Sequence, residues 1–243
     1  MLTLNLREER ATGNLNLRKA LLHSFDGNTY VNRILTMPGV TRLDSMYGDN
    51  IESHKEEPFS TTYPSPFRNT DPKLAQEYLA KAKEEMGELP KLVLLSREGN
   101  EKQDEYLQAL FKRELGLDVQ IDRQAWKQAI EKLINGEFDI AFSGFCNGSL
   151  TDPYIVARTF ESSNPFNDGK FNSERYDELL KQTTTLTDPI ARMEIFRELE
   201  QIAFDAAIII PTHHESDLYV QDNRLRRIAY GPAKDFSRGV IRD

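Results

Sequence analysis

The chain has 243 residues, 39% hydrophobic and 29% charged, with a formal net charge of −8. That composition suits a soluble globular protein of one large domain or two small ones, and the acidic balance disfavours nucleic acid or an anionic membrane as partner. Cys146 is the single cysteine, which excludes disulfides within the chain and cysteine-based zinc sites.

In chain order, LTLNL (2–6) alternates and predicts a strand. Asn16 is placed to cap a helix that carries Leu17, Ala20, Leu21 and Phe25 on one face. Residues 37–69 are rich in Pro, Gly, Ser and Thr without a sustained period. A loop that long is expected to wrap a surface or line a cleft edge. Asp71-Pro72 is a helix start, with the acid as cap and proline at the first helical position. Leu74, Ala75, Tyr78, Leu79, Ala82 and Met86 continue it, and Gly87 stops it.

A strand is predicted at 92–95. A helix follows with Tyr106, Leu107, Leu110, Phe111 and Leu115 on its face, closed by Gly116. Leu117, Val119 and Ile121 alternate as the next strand. Trp126, Ala129, Ile130, Leu133 and Ile134 make another helix face, ended by Gly136. Phe138, Ile140 and Phe142 alternate as a third strand. Three strands separated by two helices argue for an α/β fold with a mostly parallel sheet and right-handed crossovers. The polar stretches 96–101 and 143–152 then both follow strand ends, near each other and near a cleft.

Ser173 is placed to cap a helix with Tyr176, Leu179 and Leu180. Asp188-Pro189 starts a long amphipathic helix through Phe196, Leu199, Ile202 and Ala203. Residues 208–211 read as a buried strand, and 218–220 as a further one. No run is long and apolar enough to span a membrane. MLTLNLREER is charged where a signal peptide would be apolar.

The most informative stretch is FDIAFSGFCNGSLTDP (138–153), an alternating strand that opens into a polar loop. It reads as a binding edge and not a catalytic one. Cys146 has Phe145 and Asn147 as neighbours, neither of them a base, so a nucleophilic role lacks its activator. His213-His214 would point to opposite sides of a strand, with one ring partly buried and one exposed. No metal-ligand spacing accompanies them. Phosphate loops and nucleophile elbows are absent from the sequence. Glu84, Glu85, Glu88, Glu198 and Glu200 read as solvated helix faces. Asn100, Asn147, Ser149, Thr151 and Asp152 remain as polar loop residues able to bond a ligand, or to serve as ordinary turn formers.

Several phrases, in order, resemble the peptide/nickel-type extracellular solute-binding proteins of bacterial ABC importers. They are NLNLRKALLHSFDGNTYVNRIL (14–35), TDPKLAQEYLAKA, LGLDVQIDRQAWKQAIEKLINGEFDIAFSGF, FNSERYDELL and the AAIIIP strand. The resemblance implies a periplasmic-binding-protein-like class II lobe, about the C-terminal half of such a protein. Residues 1–13 would be a hinge strand returning to a second lobe, 14–222 the ligand-binding lobe, and 223–243 a segment running back toward that second lobe. Two lobes would clamp a small solute, a peptide first among them, without catalysis or cofactor. Closure would signal to ABC permease subunits. No nucleic acid or membrane insertion is implied for this part of the chain.

Residue by residue, the resemblance places Phe145 where the family has Trp at the cleft-lining strand end. Cys146 and Asn147 follow as backbone contacts. Asn100 matches a ligand-facing loop position and Phe236 an aromatic of the returning segment. Ser149 and Asp152, read from the polar loop itself, are added as ligand-binding candidates. The Asp that many peptide binders use to pair the ligand's amine is not found after Cys146. There the chain reads Asn147-Gly148-Ser149, and Asp152 matches the acid of an Asp/Glu-Pro turn instead. The same lobe also occurs as the sensing domain of some bacterial transcription regulators. The importer reading implies an extracytoplasmic protein and the regulator reading a cytoplasmic one, and the sequence upstream of Met1 separates them. A Cys146-dependent hydrolase is the reading of a different class.

Overall fold

A computed structural model of the chain describes residues 1–68, 70–144, 150–215, 221–227 and 239–241. The alternating N-terminal run forms β1 (Leu2–Leu4). Helix α1 (Leu15–Ser24) begins two residues earlier than expected. Asn14, not Asn16, is its cap, and the Asn14 side chain accepts the Leu17 N–H. Asn16 instead donates to Glu85 at 2.8 Å, beside Asn14 at 2.7 Å. The short α2 (Gly27–Thr29) passes into a wider turn over Tyr30–Leu35 that closes at left-handed Thr36. Within the long polar stretch, the described residues form β2 (Thr41–Arg42), α3 (Phe59–Thr62) and a 3-10 turn at Pro66–Arg68.

Asp71 caps α4 (Pro72–Met86) as expected, its Oδ1 accepting the Lys73 and Leu74 N–H groups. The βαβαβ run follows: β3 (Leu92–Arg97), α5 (Glu101–Leu115), β4 (Val119–Gln124), α6 (Trp126–Asn135) and β5 (Ile140–Phe142). Gly116 and Gly136 end the two helices in the left-handed region (φ 67° and 74°), where a side chain would be strained. Short α7 (Tyr154–Ala157) precedes α8 (Glu174–Gln182) and α9 (Pro189–Asp205). These two are capped by Ser173 and Asp188, as their spacing predicts. Strands β6 (Ile209–Ile210), β7 (His213–His214), β8 (Leu225–Arg226) and β9 (Val240–Ile241) close the chain. The expected strand at 218–220 lies outside the described residues.

The central sheet has the order β4-β3-β5-β1-β6. Strand β3 runs parallel to β4 from Leu92↔Val119 to Arg97↔Gln124, and parallel to β5 at Leu94↔Ile140 and Leu95↔Ala141. Strand β1 is antiparallel to both β5 and β6. The mostly parallel sheet is therefore present, with one reversed strand that the sequence does not reveal. From β3 the chain moves one way to β4, then back past β3 to β5. Right-handed crossovers in opposite directions put α5 and α6 on opposite faces. Leu92, Leu94 and the buried faces of α1, α4 and α5 form the main core. The α6 face is thinner, with Leu95, Phe138 and Ala141 beneath Leu133.

Arg18 of the NLNLRKALL phrase is a structural tie and not a surface charge. Its Nη1 donates to the Thr12 and Gly13 carbonyls at 2.8 and 2.7 Å, and its Nε to Ala206 O at 3.0 Å. Burial pulls its pKa down to about 10, so it stays charged at neutral pH. Arg18→Ala strands three carbonyls at the junction of β1, α1 and α9. It is expected to lower unfolding free energy by about 2–3 kcal/mol in urea titrations.

The 37–69 stretch does wrap a surface. Leu43 N–H bonds Thr212 O at 3.2 Å, and the Tyr47 hydroxyl bonds Phe196 O on α9 at 3.0 Å. Further on, Glu52 N–H bonds Thr151 O at 2.8 Å and Asn50 Nδ2 bonds Leu150 O at 3.3 Å. The loop thus spans from α9 to the stretch that follows the 145–149 block. Glu200, expected on a solvated face, is buried at 1% exposure and anchors this loop. The helix turns Glu198 outward to Arg175 and Glu200 inward.

Candidate functional site

The carboxyl ends of β3, β4, β5 and β6 and the amino end of β1 share one edge of the sheet. Connections leave β3 and β5 in opposite directions, so a crevice opens between their carboxyl ends. In open α/β sheets that is where ligands bind. Residues 97–100 line one side and Ser143-Gly144 the other.

Asn100 stands at this edge, in the turn that starts α5. Its N–H bonds Arg97 O at 3.2 Å and its side chain caps nothing. Asp152 is half exposed. Its Oδ1 accepts both the Tyr154 N–H (2.9 Å) and Arg192 Nη2 (3.0 Å). It therefore holds the Asp-Pro turn, as its match to that turn implied. Phe145, Cys146, Asn147, Ser149 and Phe236 lie outside the described residues.

Trp126 corrects the sequence reading. It was expected to pack in the core with Ile130 and Leu133, yet it is 62% exposed. Trp126 opens α6 just past the end of β4, while Leu133 in the last turn packs on the sheet. Ile134, also assigned to the buried face, is exposed, since its neighbour Leu133 is the residue of the last turn that packs on the sheet. The Arg97 guanidinium lies over the indole, 5.2 Å from the ring centroid. Position 126, directly after an alternating strand, was the available signal for an edge residue.

Beneath this pair, Arg123 Nε bonds the fully buried Asp104 at 2.8 Å, and Glu101 lies 3.9 Å away. Burial raises the Asp104 pKa against the pull of Arg123, while the Arg123 pKa is raised by that same carboxylate. The two brace the start of α5 against the end of β4. Just past β5 the Ser143 hydroxyl meets Thr3 Oγ1 at 2.5 Å. Thr3, Ser143 and Gly144 open onto a cavity of about 360 Å³ lined also by Ile155, Phe160 and Phe166. Phe166 is 75% exposed. A larger hollow of about 770 Å³ lies at the amino ends of β3 and β4, among Lys83, Lys91 and Lys112. It is remote from the carboxyl edge.

His213 and His214 form β7 and pair with Arg42 and Thr41 of β2. Both rings are partly buried, where one exposed ring was expected. Burial lowers the His213 pKa, and its Nε2 meets Glu215 at 2.8 Å. Among the described residues no group of three His, Cys, Asp or Glu side chains converges for a metal, and no helix is long and apolar enough to cross a membrane.

A mixed sheet of parallel strands with one reversed strand, opening at a carboxyl-edge crevice, defines a lobe of the class II periplasmic-binding-protein type. The model of the bacterial extracellular solute-binding proteins, family 5 (middle region), matches residues 1–168, and the chain belongs to that family. It is 30% identical over 235 residues to the oligopeptide-binding protein OppA of Bacillus subtilis, covering 91% of this chain and 41% of that protein. It is 27% identical over 250 residues to a dipeptide-binding protein of Lactococcus lactis subsp. cremoris, covering 96% and 44%. In structure it is similar to the substrate-binding domain of an oligopeptide ABC transporter from Bacillus anthracis, with TM-score 0.87 and 23% identity over all of this chain and 49% of that one. Peptide-bound OppA of Listeria monocytogenes gives TM-score 0.82 and 19% identity over all of this chain and 48% of that one. The chain thus spans a little under half the length of these relatives, and the likeness of structure bears on the fold.

Proposed function

We propose that this chain is the ligand-closing lobe of a peptide-binding component of an ABC importer. Residues 14–222 form the lobe, 1–13 a hinge strand and 223–243 a segment running toward a second lobe. The observation that carries this reading is the carboxyl edge of the sheet, where Asn100 and exposed Trp126 stand on one side and Ser143-Gly144, opening onto the cavity that Phe166 also lines, on the other. The N–H groups of 98–100 and 143 are bonded within the chain, so an extended peptide meets carbonyls and polar side chains such as Asn100 there, while aromatic side chains take its apolar parts. Relatives named for oligopeptide and dipeptide binding support the same ligand class.

In this reading Asn100, Phe145, Cys146, Asn147, Ser149, Asp152 and Phe236 face the ligand. Cys146 contributes backbone and no nucleophile, and the protein is not an enzyme. The protein works outside the cytoplasm and delivers its ligand to permease subunits. Calorimetric titration of the protein carrying this chain with a panel of di- to octapeptides and sugars tests it. Saturable heat from peptides, without turnover, is the expected result. Silence from every peptide, or hydrolysis of one, overturns it.

A further inference from the structure

Arg123 reaches two carboxylates at the start of α5. Its Nε bonds Asp104 Oδ2 at 2.8 Å and lies 3.9 Å from Glu101 Oε1. That same Glu101 oxygen accepts the Gly99 N–H at 3.1 Å, at a residue held at positive φ (93°). The Asp104 N–H in turn bonds Asn100 O at 2.9 Å. A buried acid is thereby joined, through one arginine and one exposed glutamate, to the turn that forms the 97–100 wall of the crevice. The other oxygen of Asp104 is unused. Oδ1 is buried without a hydrogen-bond partner, and so are Ser96 Oγ and the Tyr30 hydroxyl. Ser96 of β3 stands beside the carboxyl and favours its charged form, while the Asp104 charge adds to burial in raising the Tyr30 pKa. Native interiors leave few such groups unpaired. A proton on Oδ1 turns that oxygen into a donor, with the Ser96 hydroxyl as the neighbouring acceptor.

The charged and titratable groups around this carboxyl are Arg123 from β4, Glu101 from its own helix and Tyr30 from the wider turn over Tyr30–Leu35. Among the described residues α1 and α4, which also pack on α5, bring no charged group that acts on it. We propose that Asp104, acting through Arg123 and Glu101, is a positioning residue for the 97–100 wall, and that a proton on its free oxygen releases Arg123 and slackens the wall without unfolding the chain. Burial raises the Asp104 pKa above its ordinary 3.8. The unfolded chain therefore gives up this proton near 3.8 and the folded chain only at higher pH, so acid favours the folded state at this group. Protonation acts on the latch before it acts on the fold. The wall's part in holding a ligand rests on the peptide-binding reading; the latch does not, and its readouts need no ligand.

Trp126 is the sole tryptophan of the chain, and Arg97, the first residue of the wall, lies 5.2 Å over its ring. Emission of the ligand-free chain, followed from pH 7 to pH 4, is expected to show a transition with its midpoint above 3.8. D104N should hold the acid-like signal throughout, and E98Q should keep the wild-type transition. R123Q should abolish the transition and R123K retain it, because only a cation carries the state of Asp104 to Glu101. At pH 7 hydrogen exchange of the Gly99 amide is expected to quicken about threefold or more in D104N and R123Q and to stay near wild type in R123K. Where D104N does not fold, the R123Q and R123K pair decides the matter by the same two readouts. A transition that survives in R123Q, or Gly99 exchange unchanged in R123Q, overturns the latch. Peptide titrations that stay silent while both readouts behave as expected remove the peptide reading and leave the latch standing.

Discussion

Glu200→Ala is expected to destabilise the chain by about 3 kcal/mol or more, while Glu200→Gln costs within about 1 kcal/mol. Oε1 of Glu200 accepts three hydrogen bonds in the interior: from Ser45 Oγ at 2.5 Å, Met46 N–H at 2.9 Å and Ser65 Oγ at 2.8 Å. Ser45 Oγ in turn accepts the Tyr47 N–H, and Ser65 Oγ the Phe67 N–H. Alanine leaves a backbone N–H and two hydroxyls without their acceptor and opens a void beside Tyr47 and Phe67. Glutamine keeps the acceptor oxygen in place. Urea unfolding at pH 7 separates the two variants. Limited proteolysis within 37–69 reads out the local effect, which should be large for alanine and small for glutamine.

The same side chain predicts a pH dependence. Burial raises the Glu200 pKa above its ordinary 4.5, and the three donors only partly offset that. In the unfolded chain the carboxyl ionises near 4.5, whereas the folded chain holds its proton to higher pH. Below 4.5 both states are protonated and the contribution is fully present. As pH rises from 4.5 through the raised folded value, the unfolded state releases its proton first and stability falls. Glu200→Gln should flatten that fall. A wild type and a glutamine variant with parallel stability curves between pH 4 and 7 would remove this account.

Where local chemistry settles the answer, the sequence was legible. Asp-Pro at 71–72 and 188–189 and Gly at 116 and 136 mark helix ends because caps and left-handed turns are decided within a few residues. The three parallel strands followed from alternation and the length of the intervening helices. Glu200 was misread because its neighbour Glu198 suggested one charged face. Two residues apart on a helix, the pair diverges by about 200°. Phe196 and Ala203, four before and three after Glu200, are both buried and place it on the inner face. That signal was present in the spacing. Trp126 and Ile134 were misread for the opposite reason. Their periodicity is helical, but which residues of the helix meet the sheet is a tertiary fact. The reversed β1 is likewise invisible locally, since three residues pair the same way in either direction until β5 and β6 are known. Asn100 and Asp152 were found as loop residues, while the contact of Arg97 with Trp126 joins residues far apart in the chain and is invisible locally.

Asp139→Ala is expected to be as costly as the loss of the Glu200 carboxylate, about 3–5 kcal/mol, with Asp139→Asn at about 2–3 kcal/mol. Asp139 is the acid of the Gly-x-Phe-Asp run in the resemblance, and it is 3% exposed. Its carboxylate takes Arg10 in a two-point contact, Nε to Oδ1 at 3.2 Å and Nη2 to Oδ2 at 3.0 Å. It also accepts the Ala11 N–H at 3.2 Å and the Val93 N–H at 2.7 Å. Its main chain adds bonds to Asn5 and Val93 and accepts Thr12 Oγ1. One residue therefore ties the segment after β1, the turn at 10–13 and strand β3 to the start of β5. Alanine leaves two partly buried N–H groups and the Arg10 guanidinium without an acceptor. Asparagine keeps one acceptor oxygen but turns its amide N–H₂ toward either Val93 N–H or Arg10, both donors. Arg10→Ala should cost less, about 1–2 kcal/mol, because Arg10 is partly exposed and Asp139 keeps its two backbone donors. Asp139 sits just before β5, at the end of the strand away from the carboxyl edge. In conditions where the folded population is held near complete, Asp139→Asn should leave the affinity for whichever ligand the proposed peptide-binding lobe takes within about twofold of wild type. A large loss of affinity in a fully folded Asp139→Asn protein would move this acid from the frame to the binding site.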